Sequence, residues 1–281
     1  IRTLVALAPL LLTGALQANF SLPYVLSDGM VLQRDKPVRI WGKGEEGAQI
    51  KAWLNGQDGK AKVKNGHWSI TFEPYEAGGP YDLTIQSPKK TQIIQDVLIG
   101  EVWIAGGQSN MQWSVSGSIH KEQALSMREN KRLRVFKQTR NSSASPEFDT
   151  LDAKWTPSTS ENRKHWSAVA YWFAADLQKR LGVPVGLLIN CDGATRTQHW
   201  TPMETFQKTK GFLFSLDKAL TAKRTFESRR IRYEQELSAF LSKKKNGLKT
   251  GPAPAYYGLV HCGYYNAMIH PIRKFSSRGV I

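Results

Sequence analysis

The tightest constraint on this chain is the way one apolar run stops. Val102-Trp103-Ile104-Ala105 has strand character and ends abruptly at Gly106-Gly107, with Gln108, Ser109 and Asn110 directly behind. Paired glycines allow positive φ and let a ligand approach the backbone amides, so a serine just beyond them can stand exposed at the carboxyl end of a strand. The same spacing suits a turn-forming or helix-capping serine, which is the commoner case. The G-x-S-x-G elbow is not met, because Met111 stands where its last glycine would be.

Around this point the text changes style. From Phe20 to about Gln95, short alternating runs such as Val38-Arg39-Ile40-Trp41 and His67-Trp68-Ser69-Ile70-Thr71-Phe72 are separated by Asn55-Gly56, Asp58-Gly59, Asn65-Gly66 and Gly78-Gly79-Pro80. Such dipeptides supply the positive φ of tight hairpins, so residues 19–95 read as a small antiparallel domain, sandwich-like or a barrel. Its aromatics (Trp41, Trp53, Trp68, Tyr75, Tyr81) suit core packing first and a sugar-binding face second. From Asp96 the pattern is α/β. Val97-Leu98-Ile99 and Val102 to Ala105 are near-continuous apolar strands, and Leu133-Arg134-Val135-Phe136 is a further short one. Ser167 can cap a helix that runs to Leu181 and stops at Gly182, and Pro184 to Asn190 then reads as a buried parallel strand. Residues of about 202–250 form a charged helical insertion, two helices broken near Lys210-Gly211, with a partial stripe of Phe226, Ile231, Tyr233, Leu237, Phe240 and Leu241. One more helix is expected from Tyr264 to Arg273.

The 281 residues carry 39 Lys and Arg against 23 Asp and Glu, a net charge of +16. That raises nucleic acid as a partner, yet many of the cations fall between Lys208 and Lys249, where a solvated helix face accounts for them. No nucleic-acid recognition motif accompanies them, and the reading is no nucleic acid. Residues 1–18 have a cation, a short apolar centre and small residues up to Ala18, which reads as an export leader; a secreted or periplasmic location follows. Pro9 and Gly14 interrupt a run already too short to span a membrane. Cys191 and Cys262 allow one disulfide or two free thiols. No His or Cys spacing suggests a metal site, and no cofactor is expected.

Four stretches in the same order resemble blocks of the sialate O-acetylesterase family, which belongs among the SGNH-type carbohydrate esterases. They are Phe20 to Trp41 around Ser27-Asp28-Gly29-Met30-Val31-Leu32-Gln33, Asp96 to Trp113 around the Gly106-Gly107-Gln108-Ser109-Asn110-Met111 turn, Ser167 to Asn190, and Tyr265-Asn266-Ala267-Met268-Ile269-His270-Pro271. The resemblance implies an α/β SGNH/flavodoxin-like three-layer sandwich over 96–281, incomplete at its C-terminus, behind the small β-domain. It also implies a serine esterase acting on O-acetyl groups of sialic acid or related glycans.

Within that resemblance Ser109 is the nucleophile and a backbone oxyanion donor, Gly193 is a second backbone donor, and Gln108 and Asn110 are supports. Gly193 falls at the first of the family's paired glycines. Ala194 replaces the second and Asp192 stands where an aromatic is usual, so a carboxylate pointing inward would repel an oxyanion. The family's third block, with its Asn, would follow Ile281, and its base is a His three residues after an Asp. None of the ten Asp residues has a His at that offset. His199, near the second block, is the one imidazole worth testing instead. The expectation is therefore an esterase whose hydrolysis is severely impaired in these 281 residues; a non-catalytic glycan-binding remnant is the alternative.

Overall fold

The alternation in the first third forms hairpins, as its turn dipeptides demand. The computed structural model describes residues 20–281; the expected leader at 1–18 lies outside the described residues. Strands β1 (Val31–Gln33), β2 (Val38–Lys43), β3 (Gln49–Leu54), β4 (Gln57–Lys62), β5 (His67–Phe72) and β6 (Gly78–Gln86) come first. In β3 and β5 every second residue is buried, so Ile50, Ala52 and Leu54 face Trp68, Ile70 and Phe72 in one core. Strands β3 and β4 join through Asn55 and Gly56, both at positive φ, as a twisted two-residue hairpin requires. β2 pairs only with β5, while β4, β3 and β6 continue into the large sheet. Trp41, Trp68 and Tyr75 are core residues, whereas Trp53 and Tyr24 stand well exposed.

The next strand joins the two styles of sequence. β7 runs unbroken from Thr91 to Gly107, so the style change at Asp96 falls inside a single strand. Its first half pairs antiparallel with β6, and its second half pairs parallel with a later strand. Beyond it come α1 (Ser109–Gln112), α2 (Lys121–Ser126), β8 (Asn130–Lys137), β9 (Lys154–Ser158), α3 (Ser160–Arg163), α4 (Ala168–Leu181) and β10 (Val185–Cys191). α5 (Met203–Lys208), α6 (Leu213–Lys245) and β11 (Gly279–Val280) complete the chain. The strand order β9-β8-β10-β7 is parallel except at β9, and β11 pairs parallel with the far side of β7. This is the expected α/β architecture, with the antiparallel β unit attached through β7.

Both faces of the sheet are covered. Ala170, Tyr171 and Ala174 of α4 pack on Leu133, Val135, Leu187 and Ile189, and Phe136 and Leu188 join Trp155, Ile272 and Phe275 on the core shared with the β unit. Ser167 caps α4 by accepting from the Ala170 N–H at 3.1 Å, and Gly182 ends it at φ +65°. A buried carboxylate, Glu101, accepts from Arg34 at 2.8 Å and Arg278 at 3.0 Å, tying β7 to the segments after β1 and before β11. The expected helix from Tyr264 to Arg273 is a π-turn, Tyr265–Ile269, followed by a 3-10 turn, His270–Ile272. The stripe on α6 packs at Phe226, against Tyr257, but leaves Ile231 and Leu241 exposed. Cys191 and Cys262 are free thiols. No helix among the described residues is long and apolar enough to cross a membrane.

Candidate functional site

Parallel pairing brings two strand ends to one place. Asn190 and Cys191 at the end of β10 stand opposite Gly106 and Gly107 at the end of β7, so the turns that follow face each other at the carboxyl edge of the sheet. Gly107 takes φ +148°, and a side chain there would come within 3.1 Å of Met111 Cβ; only glycine lets the chain double back into α1 so tightly. Ser109 opens α1, is exposed, and as the first helical residue has an N–H with no intrahelical acceptor. Its Oγ lies 3.4 Å from the point a Cβ on Gly193 would occupy. Residues 109 and 193, 84 positions apart in sequence, thus form one corner.

The hydrogen bonds of that corner are specific. The Ser109 hydroxyl donates to Gln108 Oε1 at 3.0 Å, and an amide oxygen cannot serve as a general base at ordinary pH. The Gly193 N–H donates to Gln112 Oε1 at 2.8 Å, so the amide expected to hold an oxyanion is engaged by a side-chain carbonyl. Asn110 is exposed, and its side chain makes no hydrogen bond among the described residues. His199 is buried rather than poised over Ser109: its Nδ1 accepts from the Arg196 N–H at 3.2 Å, and its ring stacks on Tyr264. Burial, with the nearby His261 and Arg196, lowers its pKa and keeps it neutral.

Asp192 lies behind the same Gln112 amide that holds the Gly193 N–H, and it is fully engaged. It is buried, and its carboxylate accepts from Arg140 at 2.8 Å, Gln112 Nε2 at 3.0 Å and the Tyr264 hydroxyl at 2.5 Å. Burial and this carboxylate together raise the tyrosine's pKa, so the phenol stays a donor. Thr195 Oγ1 donates to the Asp192 carbonyl at 2.7 Å and accepts from Trp200 Nε1 at 3.0 Å, bracing the same turn. Ala194 sits at φ +59°, the left-handed conformation a second glycine would take without strain. Gln112 therefore bridges two partners, and its amide orientation is fixed by them: the oxygen faces an N–H, the nitrogen a carboxylate.

A cavity of about 410 Å³ opens beside Gln112, within the usual size of small-ligand sites. Met111, Gln112, Lys137, Arg140, Lys154 and His165 contribute to its walls. Arg140 is committed to Asp192 and Lys137 Nζ donates to the His165 carbonyl at 2.6 Å, whereas Lys154 makes no side-chain hydrogen bond among the described residues. Cys191 also lines it, but burial pushes its thiol up to about 11, leaving it protonated and unreactive.

Sequence reasoning placed Ser109 and Gly193 together and missed Gln112, Arg140 and Tyr264. Gln112 carries a usable signal, because three residues along a helical turn share a face. The other two are joined to Asp192 only by the tertiary fold.

No family model matches the chain. It is 28% identical over 284 residues to a sialate O-acetylesterase of Mus musculus and 27% identical over 288 residues to one of Homo sapiens. Each alignment covers 94% of this chain, and 51% and 48% of the relatives respectively. Among solved structures, a carbohydrate acetylesterase from Xanthomonas citri superposes with a TM-score of 0.73 at 28% identity, covering 93% of this chain and 50% of that one. The chain spans about half the length of the relatives it matches. The family resemblance read in the four sequence blocks, and the α/β architecture it implied, are borne out.

Proposed function

We propose that this chain, similar along nearly its whole length to sialate O-acetylesterases, carries the nucleophile and oxyanion corner of a serine esterase acting on O-acetylated sialic acid or a related glycan. The observation that carries the reading is the exposed Ser109 hydroxyl beside the Gly193 turn at the carboxyl edge of a parallel sheet. Ligands in open α/β sheets bind at that edge. In the proposed reaction Ser109 Oγ attacks the acetyl carbonyl as its proton passes to a general base, the oxyanion is held by the Ser109 and Gly193 amides, and the ester C–O bond breaks as the base returns the proton to the departing sugar oxygen. Water then attacks the acetyl-serine and releases acetate. For the Gly193 N–H to take part, Gln112 Oε1 must withdraw from it. The cavity beyond Gln112 has room for a sugar, and Lys137 and Lys154 are cations suited to a sialate carboxylate. An export leader at 1–18 would bring the enzyme to glycans outside the cytoplasm.

Turnover by these 281 residues is expected to be severely impaired, because Ser109 hydrogen-bonds to an amide and no described imidazole accepts its proton. Lacking a base, an esterase retains only the rate supplied by binding and oxyanion stabilisation. The test adds the missing base in solution and follows acetate release from O-acetylated sialic acid. Imidazole should accelerate release by the chain but not by Ser109→Ala; equal acceleration of both would refute the nucleophile.

A second reading, glycan binding without turnover, is favoured by the Gln112 cap on the Gly193 amide. It predicts affinity that survives Ser109→Ala, with no acetate released even in imidazole.

A further inference from the structure

Away from this corner, the seam between the β unit and the end of the chain holds a recess of about 550 Å³. One wall is Lys36 and Pro37, Arg39 of β2 and its cross-strand partner Thr71 of β5; the other is Arg273 to Ser276. Four cations, Lys36, Arg39, Arg273 and Lys274, line it, and no carboxylate does. Among the described residues none of the four makes an ion pair. Asp35, next to Lys36 in the chain, pairs with Arg34 and Arg278. Glu147, in the adjoining recess that shares Arg273 and Lys274, accepts from the Ser143 hydroxyl.

The walls are fixed rather than fluid. Ser276 Oγ donates to the Pro37 carbonyl at 2.8 Å and Lys36 Nζ to the Ser277 carbonyl at 2.7 Å, stitching the two sides together. Phe275 is buried against Trp155 beneath them. Lys36 keeps two further N–H donors, and each arginine presents a planar fork. Burial, followed by the charges of Arg273 and Arg39, holds the Lys274 ammonium below its ordinary pKa, as uncompensated like charges must. Lys274, Arg273 and Arg39 repel one another across tied walls, a repulsion an anion between them would offset.

We propose that this recess binds a doubly charged oxyanion group, phosphate or sulfate, either as the free ion or carried on a glycan. Two arginine forks and two ammonium groups match the several oxygens of such a group better than a lone carboxylate. The site is independent of Ser109, so it stands or falls apart from the esterase reading.

Isothermal titration calorimetry on the whole chain, in chloride buffer at fixed ionic strength, tests it with four probes: inorganic phosphate, inorganic sulfate, a sulfated oligosaccharide and its neutral counterpart. Saturable binding of phosphate or sulfate is expected, weakened about tenfold or more in Arg39→Gln/Arg273→Gln, a loss of roughly 1.4 kcal/mol. Lys274→Gln is the second variant should the double one fold badly; the same direction is expected, with its thermal midpoint unchanged or raised in low salt because a repulsion is removed. Tighter binding of the sulfated oligosaccharide than of free sulfate, with none of the neutral sugar, identifies a glycan-borne group; equal affinity identifies the free ion. Heats no different from chloride, or binding unchanged in both variants, would overturn the proposal.

Discussion

Ser109 and Asp192 sit on facing turns at one edge of the sheet, yet the fold treats them oppositely. Ser109 is exposed, with a single amide partner next to it in sequence. Asp192 is buried, with three donors drawn from α1, the loop after β8 and the segment before the π-turn. The side chain proposed to meet a substrate is left open, while the Asp192 carboxylate is engaged by three donors and braces the Gly193 turn. The difference teaches where stability and chemistry part company: the turn is held by Asp192 so that Ser109 need hold nothing.

The largest expected effect comes from breaking the bracket. Asp192→Ala leaves the buried Tyr264 hydroxyl and Gln112 Nε2 without their acceptor and frees a half-exposed guanidinium, and we expect a loss of about 2–4 kcal/mol in urea unfolding; a loss below about 1 kcal/mol would show the hub to be ornamental. Gln112→Ala should cost less, about 1–2 kcal/mol, because it leaves the Gly193 N–H and one lone pair of Asp192 unpartnered. It should also raise amide hydrogen exchange at Gly193, a readout that a mere packing change would not move. Ala194→Gly relieves a strained conformation and should stabilise by up to about 1 kcal/mol. Ser109→Ala should change stability by less than about 0.5 kcal/mol. If the ranking of Asp192 and Ser109 reversed, the comparison would fail.

A second buried carboxylate sharpens it through pH. For Glu101 burial alone would raise the pKa, but the hydrogen bonds and charges of Arg278 and Arg34 outweigh it and the folded value lies below the ordinary 4.5. A depressed folded pKa means the stabilisation is full above the unfolded value and is lost as pH falls through the folded one. Thermal midpoints should therefore drop as pH is lowered from about 4.5, and Glu101→Gln should flatten that part of the curve.

Much of this was legible along the chain, wherever the determinants are local. Ser167 and Gly182 bound α4 because a hydroxyl cap and a left-handed terminus act within one turn. Ser109 and Gly193 were singled out through the family resemblance, and they lie together because each follows a strand of one parallel pair whose ends coincide. What escaped was nonlocal or short. β9, Lys154–Ser158, contains a proline and one large apolar residue, and becomes an edge strand only because β8 offers its backbone. The unity of β7 was hidden by Asp96, at φ +57°, whose irregular backbone breaks the alternation without ending the strand. Arg140 and Tyr264 reach Asp192 across 52 and 72 residues, a pairing that no local pattern encodes.

The most direct test of the proposed nucleophile corner asks for one covalent bond rather than for turnover. The chain is incubated with an activated acetyl ester, p-nitrophenyl acetate, and the acetylated positions are mapped by peptide mass spectrometry. Acetyl on Ser109, absent from the peptide bearing Ser109→Ala and faster than on any other serine, is the predicted result. Acetyl scattered over surface lysines with Ser109 untouched would contradict it.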